Sequence, residues 1–147
     1  MQNIVVGVDG SDGSKQALRF AVEEARVHGA QVAAIHAWEA AVVPPDISPA
    51  PRLDLVTLVS QAHEGALKLV TAVVEEVVGD DPAVEVTARA VEGPAASVLI
   101  DAARGADLLV LGSRGLGGFT GLLVGSVSQQ CIQHAPCPVT IHRSPSQ

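Results

Sequence analysis

Tyrosine is missing from this 147-residue chain, and its aromatic complement is Trp38, Phe20 and Phe119. Recognition of RNA or single-stranded DNA draws on exposed rings that stack on bases, so this poverty argues against that class of function. Positive charge is scarce as well. Nine Lys and Arg stand against sixteen Asp and Glu, a formal net charge of −7 that disfavours nonspecific binding to nucleic acid or an anionic membrane surface. No apolar run reaches the ~18 residues of a membrane span, and MQNIVVGVDG lacks the regions of a signal peptide. A cytoplasmic protein is expected. Cysteine is limited to Cys131 and Cys137, which suits a reducing compartment. With His134 they form C-x2-H-x2-C, but Cys137 sits between Pro136 and Pro138, where a helix cannot continue, and structural zinc takes four ligands. No metal held by protein side chains is expected.

What is abundant is small apolar residues. Nearly half the chain is hydrophobic, enough for one domain over residues 1–147 to bury roughly two-thirds of its unfolded surface. The order of patterns is strand, helix, strand, helix. Asn3 to Asp9 (NIVVGVD) reads as a buried strand followed by turn residues Gly10 to Gly13. Leu18, Ala21, Val22 and Ala25 then recur at helical spacing, with Ser11 or Ser14 as cap and Gly29 as stop. Gln31 to Ala37 gives a second strand. The segment from Ala40 to Pro51 holds four prolines and no period, and reads as a lid or binding loop with Trp38 anchoring its mouth. Leu53 to Val78 keeps a helical stripe, Gly65 notwithstanding, and His63 reads as a solvated helix residue. Ala83 to Ala90 alternates like a strand near a sheet edge. Ala95 to Arg104 is a short helix, Asp107 to Gly112 a fourth strand, Ser126 to about His134 a helix, and Pro138 to His142 a fifth strand. Such alternation predicts a parallel sheet with helices on both faces.

The stretch from Leu108 to Ser128, LLVLGSRGLGGFTGLLVGSVS, is the centre of the functional reading. An apolar strand breaks into a loop rich in glycine and resumes as a helix at Gly125 and Ser126. A loop of this kind leaves backbone N–H groups unobstructed, and the helix start adds unpaired N–H groups and the positive end of its dipole. A phosphate chain is the natural occupant, above the carboxyl ends of the strands. The chain has no G-x-x-x-x-G-K-[ST], which excludes a P-loop. No G-x-G-x-x-G follows the first strand, as a dinucleotide fold requires. A receiver domain wants a lysine near its last strand, and none follows Lys68. Gly112 and Gly115 are read as permitting positive φ and close approach of backbone to ligand, and Gly125 as doing the same at the helix start. Ser126 is read as a helix cap whose hydroxyl also donates to a phosphate. Asp9 is a ligand contact or a cap for the first helix.

The spacing Gly112-x2-Gly115-x9-Gly125-Ser126, together with IVVGVDGS, DLLVLGSRG, GSVSQQ and PCPVTIHR, resembles the universal stress protein family, specifically its ATP-binding branch with the motif G-x2-G-x9-G-[ST]. The resemblance covers the whole chain. It implies a five-stranded parallel sheet of order 3-2-1-4-5, Rossmann-like, and a homodimer formed through the last strand. By the same resemblance Gly7, Val8 and Asp9 lie beside the adenosine, Asp9 accepts from the ribose or the base, and the backbone of Ala37 reads the adenine edge. Leu111, Gly112 and Gly115 line the ribose and first phosphates, while Gly125, Ser126, Val127 and Ser128 hold the phosphate chain.

Arg114 is the one cation inside the glycine loop. It cannot neutralise a triphosphate in a protein of net negative charge, so ATP binding is expected to depend on Mg²⁺ or Mn²⁺ bridging the phosphates. Phosphoryl transfer needs a base or water-orienting group at the γ-phosphate. The loop offers Ser113, Thr120, Ser126 and Ser128 but no acid or glutamine, and His36 and His142 read as strand histidines. The expected function is therefore an ATP-binding regulatory protein whose nucleotide orders the proline-rich and glycine-rich loops and alters a surface read by an unknown protein partner. The alternatives are a slow ATPase or autophosphorylating enzyme, and a dimeric interaction module that binds no nucleotide or binds cyclic AMP.

Overall fold

The computed structural model describes residues 1–40, 55–81, 83–113 and 124–143. Nine elements follow one another: β1 (Asn3–Gly7), α1 (Asp12–His28), β2 (Gln31–Trp38), α2 (Leu55–Val78), β3 (Val86–Glu92), α3 (Ala95–Ala102), β4 (Leu108–Gly112), α4 (Ser126–His134) and β5 (Val139–His142). The strands form one sheet of order β3-β2-β1-β4-β5. Every neighbouring pair is parallel, as strand-helix-strand connections demand.

The two faces of the sheet bury different sets of residues, because successive side chains of a strand point to opposite sides. Ile4, Val6 and Val8 of the first strand and its extension pack with Ala17, Leu18, Ala21 and Val22 of α1 and Val70 and Val73 of α2. Val5, Ile35, Leu109 and Leu111 face the other way, onto Val98 and Leu99 of α3 and Cys131 of α4. β1 and β4 are covered on both sides, so their sequences read as continuous apolar runs.

Element boundaries differ from the sequence expectation where side chains intervene. β3 begins at Val86 rather than Ala83, since Asp81 Oδ1 accepts the Ala83 N–H at 2.9 Å and turns the chain beforehand. It continues to Glu92 because β2 itself runs to Trp38, and the register carries Trp38 against Glu92. α3 ends at Ala102, two residues before the expected Arg104. α1 is capped by Ser11, whose Oγ accepts from Ser14 N–H at 3.2 Å, and it stops at Gly29 in the left-handed region with φ 66°. Trp38 meets His63 of α2 at 5.7 Å between ring centroids, and His63 is exposed. The proline-rich segment expected as a lid lies outside the described residues.

Candidate functional site

The ends of three parallel strands, β1, β2 and β4, and the starts of three helices, α1, α3 and α4, converge on one cavity of about 330 Å³. The volume falls near the lower end of small-molecule sites, roughly 300–1,000 Å³. Gly7, Val8, Asp9, Ile35, His36 and Ala37 form one side, and Leu111, Gly112, Gly125, Ser126, Val127 and Ser128 the other. Ser11, Ser14, Ala95 and Leu99 complete it. The position follows from topology: β1 sends its connections to β2 on one side while β4 lies on the other, and the crevice at such a switch point is where open α/β sheets bind ligands. Of the residues singled out from sequence, Arg114 and Gly115 lie outside the described set. The other ten line the cavity.

The β2 side presents backbone. Odd-numbered residues of β2 direct their polar groups toward β1, as Gln31 N–H does to Gln2 O at 2.9 Å and Ile35 O does in accepting from Val8 N–H at 2.8 Å. Ala37 is next in that phase. β1 has ended at Gly7, so the amide and carbonyl of Ala37 face the cavity instead of a partner strand. The turn after β1 is tied by its own side chains. Asp9 Oδ1 accepts from Ser11 Oγ at 2.5 Å and Ser11 N–H at 2.9 Å, and Asp9 N–H reaches Ser14 Oγ at 3.3 Å. Asp9 thus orders the residue that caps α1 and is not itself the cap. Gly10 has φ 87°, which a side chain would oppose.

The opposite wall departs from the sequence expectation in mechanism. Gly112 is not in the left-handed region, and its requirement is steric: a Cβ there would stand 3.1 Å from both the carbonyl carbon and the oxygen of Gly13. Its own carbonyl accepts the hydroxyl of buried Ser128 at 2.8 Å, so Ser128 joins the start of α4 to the end of β4. Gly125 has φ −71° and ψ 166°, an ordinary extended cap, which removes the expected need for positive φ. Gly125, not Ser126, is the N-cap, and no side chain among the described residues caps α4. The hydroxyl of Ser126 is exposed, and the first intrahelical bond is Gln129 N–H to Gly125 O at 2.9 Å. The amides of Ser126, Val127 and Ser128 are therefore first-turn donors beside the cavity. Gly125 N–H meets Ser113 O at 2.7 Å, which pins together the two ends of the intervening glycine-rich segment.

His36, Ser11, Ser14 and Leu99 were not foreseen as lining residues. The histidine carried a sequence signal, being the lone polar side chain in the apolar run VAAIHA at a strand's carboxyl end. Its Nδ1 lies 2.8 Å from Val8 O. His142, the other strand histidine, packs on Phe20 of α1 at 5.6 Å between centroids. Burial pushes the Cys131 thiol up, and burial with the nearby Asp107 carboxylate does the same to Cys137. Neither belongs to the cavity.

A sequence profile described as the universal stress protein family matches residues 1–143. The chain belongs to that family. A universal stress protein of Thermus aquaticus is 34% identical over 144 residues, covering 97% of this chain and 98% of the relative. Against a longer Mycobacterium tuberculosis relative the identity is also 34%, but the chain spans 44% of that protein, about half its length. Among solved structures, UspA from Lactobacillus plantarum superposes with a TM-score of 0.79 at 27% identity, covering 97% of each chain. A universal stress protein in complex with cAMP has a TM-score of 0.60 at 26% identity, over 97% of this chain and 96% of the other. More distant neighbours with dAMP and AMP bound, at 22% and 21% identity, share the fold. No helix among the described residues is long and apolar enough to cross a membrane.

Proposed function

We propose that this protein binds an adenine nucleotide in the cavity above β1, β2 and β4, that ATP is the nucleotide, and that occupancy rather than rapid turnover is its output. One observation carries the reading: main-chain polar groups line both ends of the cavity, the Ala37 amide and carbonyl at one and the first turn of α4, which no side chain among the described residues caps, at the other. The first suits the donor and acceptor edge of adenine, and the second suits phosphate. The cAMP complex of a family neighbour supports the ligand class. In this reading Asp9, which lines the same cavity, accepts from a ribose hydroxyl.

The described lining contains no Lys or Arg. Amide dipoles alone then meet the phosphate charge, and Mg²⁺ or Mn²⁺ held by phosphate oxygens and water supplies the rest. Asp9 is the one carboxylate of that lining and is engaged with Ser11, so the reading gives it no role as a base at a γ-phosphate. In the same proposal two chains pair through β5, an edge strand of the sheet.

Mass analysis of small molecules released on denaturing the purified protein, followed by calorimetric titration with ATP, AMP and cyclic AMP, tests the assignment. ATP is expected to bind more tightly with magnesium than with chelator. Equal affinities would remove the metal from the proposal, a preference for cyclic AMP would replace ATP, and silence toward all three would overturn the reading. Sedimentation at graded protein concentrations tests the dimer, which Ile141→Asp is expected to dissociate.

A further inference from the structure

β1 stops at Gly7, yet its path continues beside β2 for one more residue. Val8 N–H donates to Ile35 O at 2.8 Å. In a parallel ladder, a residue that donates to one position of its neighbour accepts from the position two further on, here the Ala37 N–H. The Val8 carbonyl is instead met by the ring of His36, at 2.8 Å from Nδ1. A carbonyl oxygen only accepts, so Nδ1 carries the hydrogen, and the neutral ring is the Nδ1–H tautomer with Nε2 as its acceptor.

The ring reaches this position because of strand alternation. Val32 and Ala34 belong to the core under α1 and α2, whereas Ile35 faces α3 and α4. His36 is in phase with the former, half-buried at the point where the turn after β1 crosses. Its side chain thus completes the ladder from outside the backbone. The Ala37 amide is left directed at the cavity, and the residue after the anchored carbonyl is Asp9.

We propose that His36 is a positioning residue for the nucleotide: by donating from Nδ1 to Val8 O it directs the Ala37 amide to the adenine edge and fixes where Asp9 stands. This rests on the adenine-nucleotide reading above. Asn places an amide nitrogen where the imidazole has Nδ1, Gln places it one bond further out, and Leu has no donor. His36→Asn is therefore expected to keep AMP affinity within about threefold, while His36→Gln and His36→Leu lose about tenfold, the scale of one neutral hydrogen bond. The preference for AMP over GMP is expected to fall in parallel, a change that loss of stability alone does not produce.

Nitrogen-15 spectra of the histidine rings in nucleotide-free wild-type protein supply a second readout, in which Nδ1 of His36 is expected to be the protonated nitrogen. An Nε2–H tautomer would overturn the proposal, as would His36→Leu retaining both affinity and base preference. If His36→Leu fails to fold, Asn against Gln decides by the same measure. Wild-type protein that binds neither AMP nor ATP overturns the functional reading and this inference together; wild-type binding with indifferent variants overturns this inference alone.

Discussion

The two ends of the sheet hold similar numbers of strand termini and treat their polar groups in opposite ways. At the amino end, Asp107 Oδ2 accepts the N–H groups of Gln2 and Asn3 at 2.7 and 2.9 Å, and Gln31 Nε2 donates to Asn3 Oδ1 at 2.6 Å. Side chains there close on the termini of neighbouring strands. At the carboxyl end β1 and β4 finish on glycine, the Ala37 backbone faces a cavity, and α4 starts without a capping side chain among the described residues. A sheet stabilises itself where its termini close on each other and gains a site where they do not. The same chain does both because β1 ends two residues short of the turn that caps α1, while β2 runs on.

If that contrast is right, substitutions at the carboxyl end alter stability and nucleotide binding together, and those at the amino end alter stability alone. The largest effect is expected from Gly112→Val, whose branched side chain meets the Gly13 backbone: overpacking costs about 1–3 kcal/mol, and displacement of the wall weakens ATP binding at least about tenfold. Chemical denaturation and calorimetry read the two. Ser128→Ala removes the donor to the Gly112 carbonyl and leaves that acceptor unsatisfied, a loss of about 1–3 kcal/mol in denaturant titration. Ser11→Ala deletes the α1 cap and releases Asp9, with about 1 kcal/mol of stability lost and a measurable change in nucleotide affinity.

Asp107→Asn probes the other end, and no change in ATP affinity is expected. Bonds from the Gln2 and Asn3 amides, in that order, hold the Asp107 carboxyl below its ordinary range, against a smaller opposing effect of desolvation. A folded-state value below the unfolded one contributes stability that is present above the unfolded pKa, about 3.9, and is lost as pH falls through the lower folded value. Thermal melts of wild type and Asp107→Asn should therefore differ at neutral pH and converge in acid. The smallest stability change is expected at Ser126→Ala, within about 0.5 kcal/mol, because the exposed hydroxyl caps nothing. A fall in ATP affinity there would show that its hydroxyl meets phosphate; no fall would leave the amides as the whole of the phosphate site.

Periodicity made most of the fold legible. Leu18, Ala21, Val22 and Ala25 repeat at helical spacing and are buried in α1, and the runs IVV and LLVL are strands covered on both faces. Boundaries were legible where a local signal sets them, as at Gly29 and Gly79 and over Ser126 to His134 of α4. β3 was displaced because its start depends on Asp81, whose carboxylate binds the Ala83 amide and pairs with Arg26 of α1, a contact between residues distant in sequence. Gly112 was legible as a residue without room for a side chain, but the obstacle is the Gly13 backbone of another element and not its own φ. His36 was visible as a polar residue in an apolar strand, and its partner was not.

The sequence by itself determined the alternation of strand and helix, the covered strands and the glycines and serines available to a phosphate site, because these follow from local spacing and from what a residue type permits its own backbone to do. The tertiary structure decided which strand ends meet, that Ser11 and not Ser14 caps α1, that Ser128 is tied to Gly112, and that the ring of His36 takes a ladder bond from Ala37. Those outcomes depend on distances between segments far apart in the chain, and such distances are set only when the sheet is assembled.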